Sequence, residues 1–335
     1  MIKKSLVAFV VALLFACEKD QPAPHGEPLL AVPEGFPVPV FPEGNELTPE
    51  RWALGKRLFF DPIMSSDGTV SCASCHLPEL AFTDGKQVSA GVEGRPGNRN
   101  APTLANLAYH PYFTREGGVP TLEMQILVPI QEHDEFDTNI LDIAEWLNAD
   151  SSYVQQSQAA YGRVPDAFVI TRSIACFERT ILSGNTPYDQ FLNGKKSALS
   201  SAEKRGMDLF FSDRTNCSKC HGGFNLTNYA FENNGLYEDY ADPGRFRLTG
   251  KEADRALFKV QTLRNVGVTA PYMHDGSLPT LAAVVEHYNS GGKNHPHRSQ
   301  LVKPLNLTNQ EKTDLIAFLN ALTDLDFLDN PKFRQ

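Results

Sequence analysis

Cys72-Ala73-Ser74-Cys75-His76 and Cys217-Ser218-Lys219-Cys220-His221 decide how this chain of 335 residues is read. Two thiols at this spacing can add to the two vinyl groups of one haem, and the next His then lies beneath the iron as its proximal ligand. A four-Cys zinc site keeps its pairs ~15–20 residues apart, far closer than these two motifs. A redox dithiol needs no following His. The pattern predicts two covalently attached c-type haems, one on Cys72, Cys75 and His76, the other on Cys217, Cys220 and His221.

The segments before the motifs repeat as well. Gly55-Lys56-Arg57-Leu58-Phe59-Phe60 precedes the first and Gly206-Met207-Asp208-Leu209-Phe210-Phe211 the second. A short helix ending in Leu-Phe-Phe, a loop and a haem motif occur twice, which predicts two similar domains. These are placed at residues 46–190 and 191–335, with the boundary between Pro187 and Ser200. Thr48-Pro49 is an N-cap followed by proline, opening a helix to Phe60. Ser200 with Glu203 and Thr308 with Glu311 have capping-box spacing. The second box leads a stripe of Leu315, Phe318, Leu319 and Leu322. Alternating strand patterns are scarce, so the expected fold is mostly α, two cytochrome c-like haem domains with long loops.

The start of the chain reads as an export signal. Lys3 and Lys4 precede an apolar run from Leu6 to Phe15, too short to span a bilayer. Leu14-Phe15-Ala16-Cys17 resembles a lipoprotein cleavage box, which would make Cys17 a lipidated first residue; an ordinary signal peptide is the alternative. Residues 18–45, rich in Pro, read as a tether ending in a strap over the fold. Of six cysteines, four lie in the haem motifs, Cys17 belongs to the signal, and Cys176 sits in an apolar stretch as a buried small hydrophobe. A net charge of −9 argues against a nucleic-acid partner.

Beyond the motifs, the chain resembles the diheme cytochrome c peroxidase and MauG family over nearly all of its mature length. The matching runs are Leu58-Phe59-Phe60-Asp61-Pro62, Arg99-Asn100-Ala101-Pro102-Thr103-Leu104, Phe177-Glu178-Arg179-Thr180, Leu263-Arg264-Asn265-Val266 and Thr269-Ala270-Pro271-Tyr272-Met273-His274-Asp275-Gly276. The resemblance implies an N-terminal peroxidatic haem, a C-terminal electron-transfer haem and a calcium ion between the domains. Glu135 falls where the family places its distal acid, after Pro129-Ile130-Gln131, and Gln125 matches a pocket position. Many members cap the peroxidatic iron with a loop His, but the corresponding Gly91-Val92-Glu93-Gly94 has none, with Val92 at the matching place. His110 and His133, which could cap instead, are read as surface or loop residues.

For the second haem the resemblance points to Tyr288 as distal ligand, on one helical face with Leu281, Val284 and Val285. Met273 is the alternative. Asn100 by its side chain, and Thr269 and Pro271 by their carbonyls, match the calcium ligands. Arg264 and His274 are placed against haem propionates. The family's inter-haem Trp stands in a Phe-Trp-Asp-Gly run, whereas this chain has Phe113-Thr114-Arg115-Glu116-Gly117. Phe113 and Tyr112 are the substitute aromatics.

The expected activity is reduction of hydrogen peroxide with electrons from a small c-type cytochrome or cupredoxin. A MauG-like oxidase of a protein or small molecule is the alternative, and a non-catalytic electron carrier the third. The protein is expected to be periplasmic, to touch a membrane only through Cys17, and to leave room for a homodimer.

Overall fold

The computed structural model describes residues 28–335; the export signal, Cys17 and the start of the Pro-rich segment lie outside the described residues. The helix Pro49–Phe60 begins where Thr48 accepts a hydrogen bond from the Arg51 amide at 3.3 Å. It buries Leu54, Leu58 and Phe59. At Gly55 it crosses the helix Ala167–Glu178 so closely that a Cβ would stand 1.8 Å from the Ser173 carbonyl oxygen. Phe59 and Phe60 meet Phe177 there, with ring centroids 5.2 and 6.5 Å away.

The second repeat builds the same crossing. The Ser200 amide donates to Glu203 Oε2 at 2.6 Å and the Glu203 amide to Ser200 Oγ at 3.3 Å, opening the helix Ser201–Phe210. At Gly206 it passes over the helix Asn309–Asn320, where a Cβ would lie 1.9 Å from the Asp314 carbonyl oxygen. Phe210 and Phe211 meet Phe318 at 5.3 and 6.2 Å. The glycine and two aromatics of the repeat are thus one packing device used twice: the glycine lets two backbones touch, and the rings fill the angle beside them.

Each crossing seeds a hydrophobic core. The first gathers Leu54, Leu58, Phe59, Phe82, Ile174 and Phe177, with the helices Ile140–Ala149 and Ser151–Tyr161 adding Ile143, Leu147 and Tyr153. The second gathers Phe210, Leu281, Val285, Leu315, Phe318 and Leu322. The change of core falls within the stretch Pro187 to Ser200, but the C-terminal end does not stay with the second core. Tyr188 packs in the second core, while Phe327, Leu328 and Phe333 join the first, Phe327 and Phe333 lying 5.8 and 5.9 Å from Phe82. The C-terminal segment therefore returns to the N-terminal half. Cys176 is fully buried.

Polar and aromatic contacts lock the halves together. Arg99 forms a two-pronged ion pair with Asp242 at 2.6 and 2.9 Å and a further one with the buried Glu116 at 2.7 Å. Asn106 Nδ2 donates to Asn225 Oδ1 and to the Ser183 carbonyl. Over this seam lies the strap, with Phe36 against Tyr109 of one half and Phe224 of the other, at 6.1 and 4.9 Å. Among the described residues the one sheet is a two-stranded antiparallel pair, Phe231–Glu232 with Phe258–Lys259. No helix among them is long and apolar enough to cross a membrane.

Candidate haem centres and active site

Each haem motif folds into a single helical turn, Cys72–Cys75 and Cys217–Cys220, whose terminal His amide donates back to the first Cys carbonyl. His76 Nδ1 then donates to the Phe82 carbonyl at 2.7 Å and His221 Nδ1 to the Leu226 carbonyl at 3.3 Å. Both acceptor residues hold a positive φ, +61° and +49°. The backbone bears that strain to aim a carbonyl at the imidazole. With the proton fixed on Nδ1, each Nε2 presents a lone pair to a metal. Burial favours the neutral imidazole, lowering the pKa of His76 and bringing that of His221 to about 4.

A cavity opens above each motif, of about 290 Å³ at the first and about 300 Å³ at the second. Asn100, Ala101, Pro102, Thr103, Arg115, Lys259 and Gln261 line both, so the two cavities share a wall. Three buried polar atoms on the first cavity's lining have no protein partner: Gln125 Oε1, His110 Nε2 and Arg115 Nε. Lys259 Nζ lies 3.3 Å from His110 Nδ1; since an ammonium only donates, the His110 proton sits on Nε2. Two unmet donors, and a buried Lys259 beside them, fit a group bearing carboxylates, which a haem does through its propionates.

Glu135 lines the first cavity. Its position is fixed from behind: the Val92 amide donates to the Glu135 carbonyl at 2.9 Å, and a Cβ on Gly91 would fall 2.1 Å from the Asp134 oxygen. Glu135 is exposed by its accessible surface, yet many protein atoms crowd around it, and this crowding raises its pKa to about 7, with Glu132 and Asp134 adding repulsion. Gln125 ends a one-turn helix on the same wall. Val92 is fully buried in the first core and Gly91 has no side chain, so that loop offers the cavity no ligand atom. Glu178, unassigned from sequence, is buried on the cavity lining, and desolvation lifts its carboxyl to about 8. The signal for it was a carboxylate directly after the apolar run Ile174-Ala175-Cys176-Phe177.

Tyr288 lines the second cavity together with His221, Leu281, Val284 and Val285. Burial holds its phenol neutral, with a pKa of about 12. Met273 lines the cavity too, and its sulfur accepts from Asn234 Nδ2 at 3.0 Å. His274 also lies there, stacked on Phe258 at 4.1 Å.

Other expectations change. Arg264 lines neither cavity; it is buried, with two prongs on Asp189 at 2.8 and 3.0 Å and Nε on the Phe224 carbonyl. A guanidinium so occupied braces the second core. His110 is not a surface residue, since it lines the first cavity and stacks on Phe113, whereas His133 is exposed. Tyr112 lines neither cavity and stacks on Phe231. The calcium residues Asn100, Thr269 and Pro271 share the second cavity with Arg115, which donates from one nitrogen to the Asn100 carbonyl at 2.7 Å and to its Oδ1 at 3.3 Å. A guanidinium on those oxygens does not fit a divalent cation there.

Residues 49–197 match the family model described as di-haem cytochrome c peroxidase. The methylamine utilization protein MauG of Methylorubrum extorquens is 38% identical over 87% of this chain and 82% of its own length. The chain belongs to the di-haem cytochrome c peroxidase family. The cytochrome-c peroxidase IdrP1 of a Pseudomonas species is 34% identical over 96% of this chain and 92% of its own. Among solved structures, a MauG-like protein associated with microbial copper homeostasis superposes with a TM-score of 0.85 at 36% identity, covering 90% of this chain and 97% of that one.

Proposed function

We propose that peroxide is reduced in the first cavity, above His76, with Glu135 as the proton carrier. The chain is a di-haem peroxidase: it converts hydrogen peroxide, two electrons and two protons into two waters. When bound, the first haem supplies an iron that holds peroxide and accepts its oxidising equivalents, and the second passes in electrons. The observation that carries the reading is a carboxyl with a pKa of about 7 on the wall of the cavity that His76 enters.

A peroxide oxygen can leave as water only if it gains a proton while its partner loses one. Glu135 takes the proton from the near oxygen and returns it to the far one, a service typically worth ~10²–10⁴ in rate. Gln125 Oε1, buried and unpartnered, orients the same peroxide by accepting a hydrogen bond from its other O–H. The Gly91–Gly94 loop brings no ligand side chain to the first cavity, so an iron held by His76 would not be capped from that loop. Arg115 Nε and His110 Nε2, buried and unpartnered, would hold propionates.

Tyr288, enclosed on the wall of the second cavity, would serve as the distal ligand of the second haem, with Met273 as the alternative; Asn234 reaches both side chains. Electrons come from a small c-type cytochrome or cupredoxin, and the protein is exported and anchored through Cys17. No calcium enters this proposal, since Arg115 lies on the Asn100 oxygens. The likeness to MauG favours a second reading, oxidation of a protein or small molecule.

The test is peroxide-dependent oxidation of a reduced small cytochrome by the haem-loaded protein, beside Glu135→Gln. Turnover that collapses in the variant is expected. Haem oxidation by peroxide without turnover of any donor moves the second reading to first place.

A further inference from the structure

We propose that Arg115 supplies, from within the chain, the positive charge at the junction of the two haem cavities, so that the protein works without a bound calcium ion. The proposal rests on the family membership and departs from what it implies.

The geometry of Asn100 carries the argument. Its Nδ2 donates to the Lys86 carbonyl at 2.9 Å and its backbone amide to the His274 carbonyl at 3.0 Å. Both donors are thus anchored, which turns both oxygens the other way. They converge on one nitrogen of Arg115, at 2.7 Å from the backbone oxygen and 3.3 Å from Oδ1. Two oxygens converging on one point are what a hard cation asks of a protein; here the point is already a guanidinium nitrogen.

Arg115 is also short of an anion. The nearby Glu116 carboxylate is shared by Arg99 and Arg247, at 2.7 and 2.6 Å, and Asp242 is bound by Arg99. Among the described residues Arg115 has no carboxylate within ion-pair distance, and its Nε is buried without a partner. Burying a guanidinium this way is unfavourable unless carbonyl oxygens and an incoming anion compensate it. The Asn100 oxygens do the first, and the cavities on both sides of Arg115 admit the second. A divalent cation on the same oxygens would meet like charge at contact distance, and the guanidinium would have to leave its buried position first.

The arginine also does what a calcium ion would do mechanically. Asn100 is tied to Lys86 in the first half and to His274 in the second, and the Arg115 carbonyl receives the Lys259 amide at 2.7 Å. One side chain therefore knits the loop of Asn100, the shared wall and the second half.

The experiment is metal analysis of the haem-loaded protein, with melting curves and absorption spectra of both haems recorded in EDTA and in added calcium. The wild type is expected to contain no stoichiometric calcium and to give the same midpoint and spectra in both. Arg115→Ala, with the oxygens released, is expected to gain a midpoint that rises with calcium; Arg115→Lys, which keeps the charge, is not. One calcium per chain in the wild type, or a chelator-induced shift in its spectra or midpoint, overturns the proposal. If Arg115→Ala does not load haem, the wild-type measurements still decide, and peroxidase failure with these metal results intact would sink the functional reading alone.

Discussion

Glu135 makes the sharpest test because its ionisation falls within the range where the protein can be assayed. Protein crowding is the largest cause of its pKa near 7, and Glu132 and Asp134 push the same way. Haem in the cavity removes more water and acts in the same direction. To take a proton from peroxide the carboxyl must be ionised. Its working form is therefore present above about pH 7 and lost below it, about ten-elevenths at pH 8 and one-eleventh at pH 6. The expected result is a roughly tenfold fall in kcat/KM for peroxide between about pH 8 and pH 6, where a glutamate with an ordinary pKa would give almost none. Stopped-flow consumption of peroxide measures it on the haem-loaded protein. Glu135→Gln is expected to lower the rate ~10²–10⁴-fold and abolish the slope. Replacing Glu132 and Asp134 by their amides removes the repulsion and moves the limb to lower pH, without bringing it to an ordinary glutamate value, because crowding remains. A limb unchanged in Glu135→Gln would refute the assignment, and so would a wild type whose rate is flat across this range.

Further outcomes follow from other sites. Gly206→Ala drives a Cβ to 1.9 Å from a backbone oxygen, so calorimetry of the haem-loaded protein is expected to show a loss of ~1–3 kcal/mol or more, with Gly55→Ala doing the same in the other half. Equal midpoints would mean that the helices can part freely. Tyr288→Phe is expected to raise the reduction potential of one haem and alter its spectrum in spectroelectrochemistry, whereas Met273→Leu leaves both haems unchanged; the reverse result reassigns the ligand. Glu178, lifted to about 8 by burial, favours the fold when protonated. That stability is whole below the ordinary glutamate value of 4.5 and is lost as pH rises through about 8. Thermal melts of Glu178→Gln are expected to match the wild type near about pH 5 and exceed it near about pH 9, by on the order of a few kcal/mol. A constant gap would place the proton elsewhere.

What the sequence disclosed was what is local. The haem motifs, the capping boxes and the Gly-x-x-Leu-Phe-Phe repeat act over a few residues, so their spacing is legible in one dimension. The repeat also had a readable cause, since a glycine before two aromatics marks a close helix crossing. The destination of the tail was not legible: the apolar residues Phe327, Leu328 and Phe333 look like any helix end, and only the fold shows that they close the first core. Arg264 misled for a related reason. A basic residue in a run that matches the family invites a propionate, but its partner Asp189 is 75 positions away. Arg115, His110 and Lys259 converge from three separate stretches, and no spacing rule connects them.

The shared wall bears on which chemistry the two haems can support. An electron hole passing from one cavity to the other would ride on an aromatic ring, and on the lining of the first cavity near the shared wall these are Phe113 and His110, stacked at 6.2 Å, with Tyr229 against His110 at 5.1 Å. None of these rings is an indole, and Phe113 and His110 give up an electron far less readily than one. Arg115 and Lys259 flank them, and a positive charge in a poorly solvated wall raises the energy of any neighbouring cation. Burial, and then Arg115, bring the pKa of Lys259 down to about 8, the direction expected where positive charge is unfavourable. A hole shared across the wall is thus penalised twice, by the rings and by the charges. The same cations lower the energy of an electron arriving at either cavity. That asymmetry favours delivery of electrons inward to peroxide over export of oxidising power to a distant substrate, so the wall itself argues for the peroxidase over the modifying oxidase.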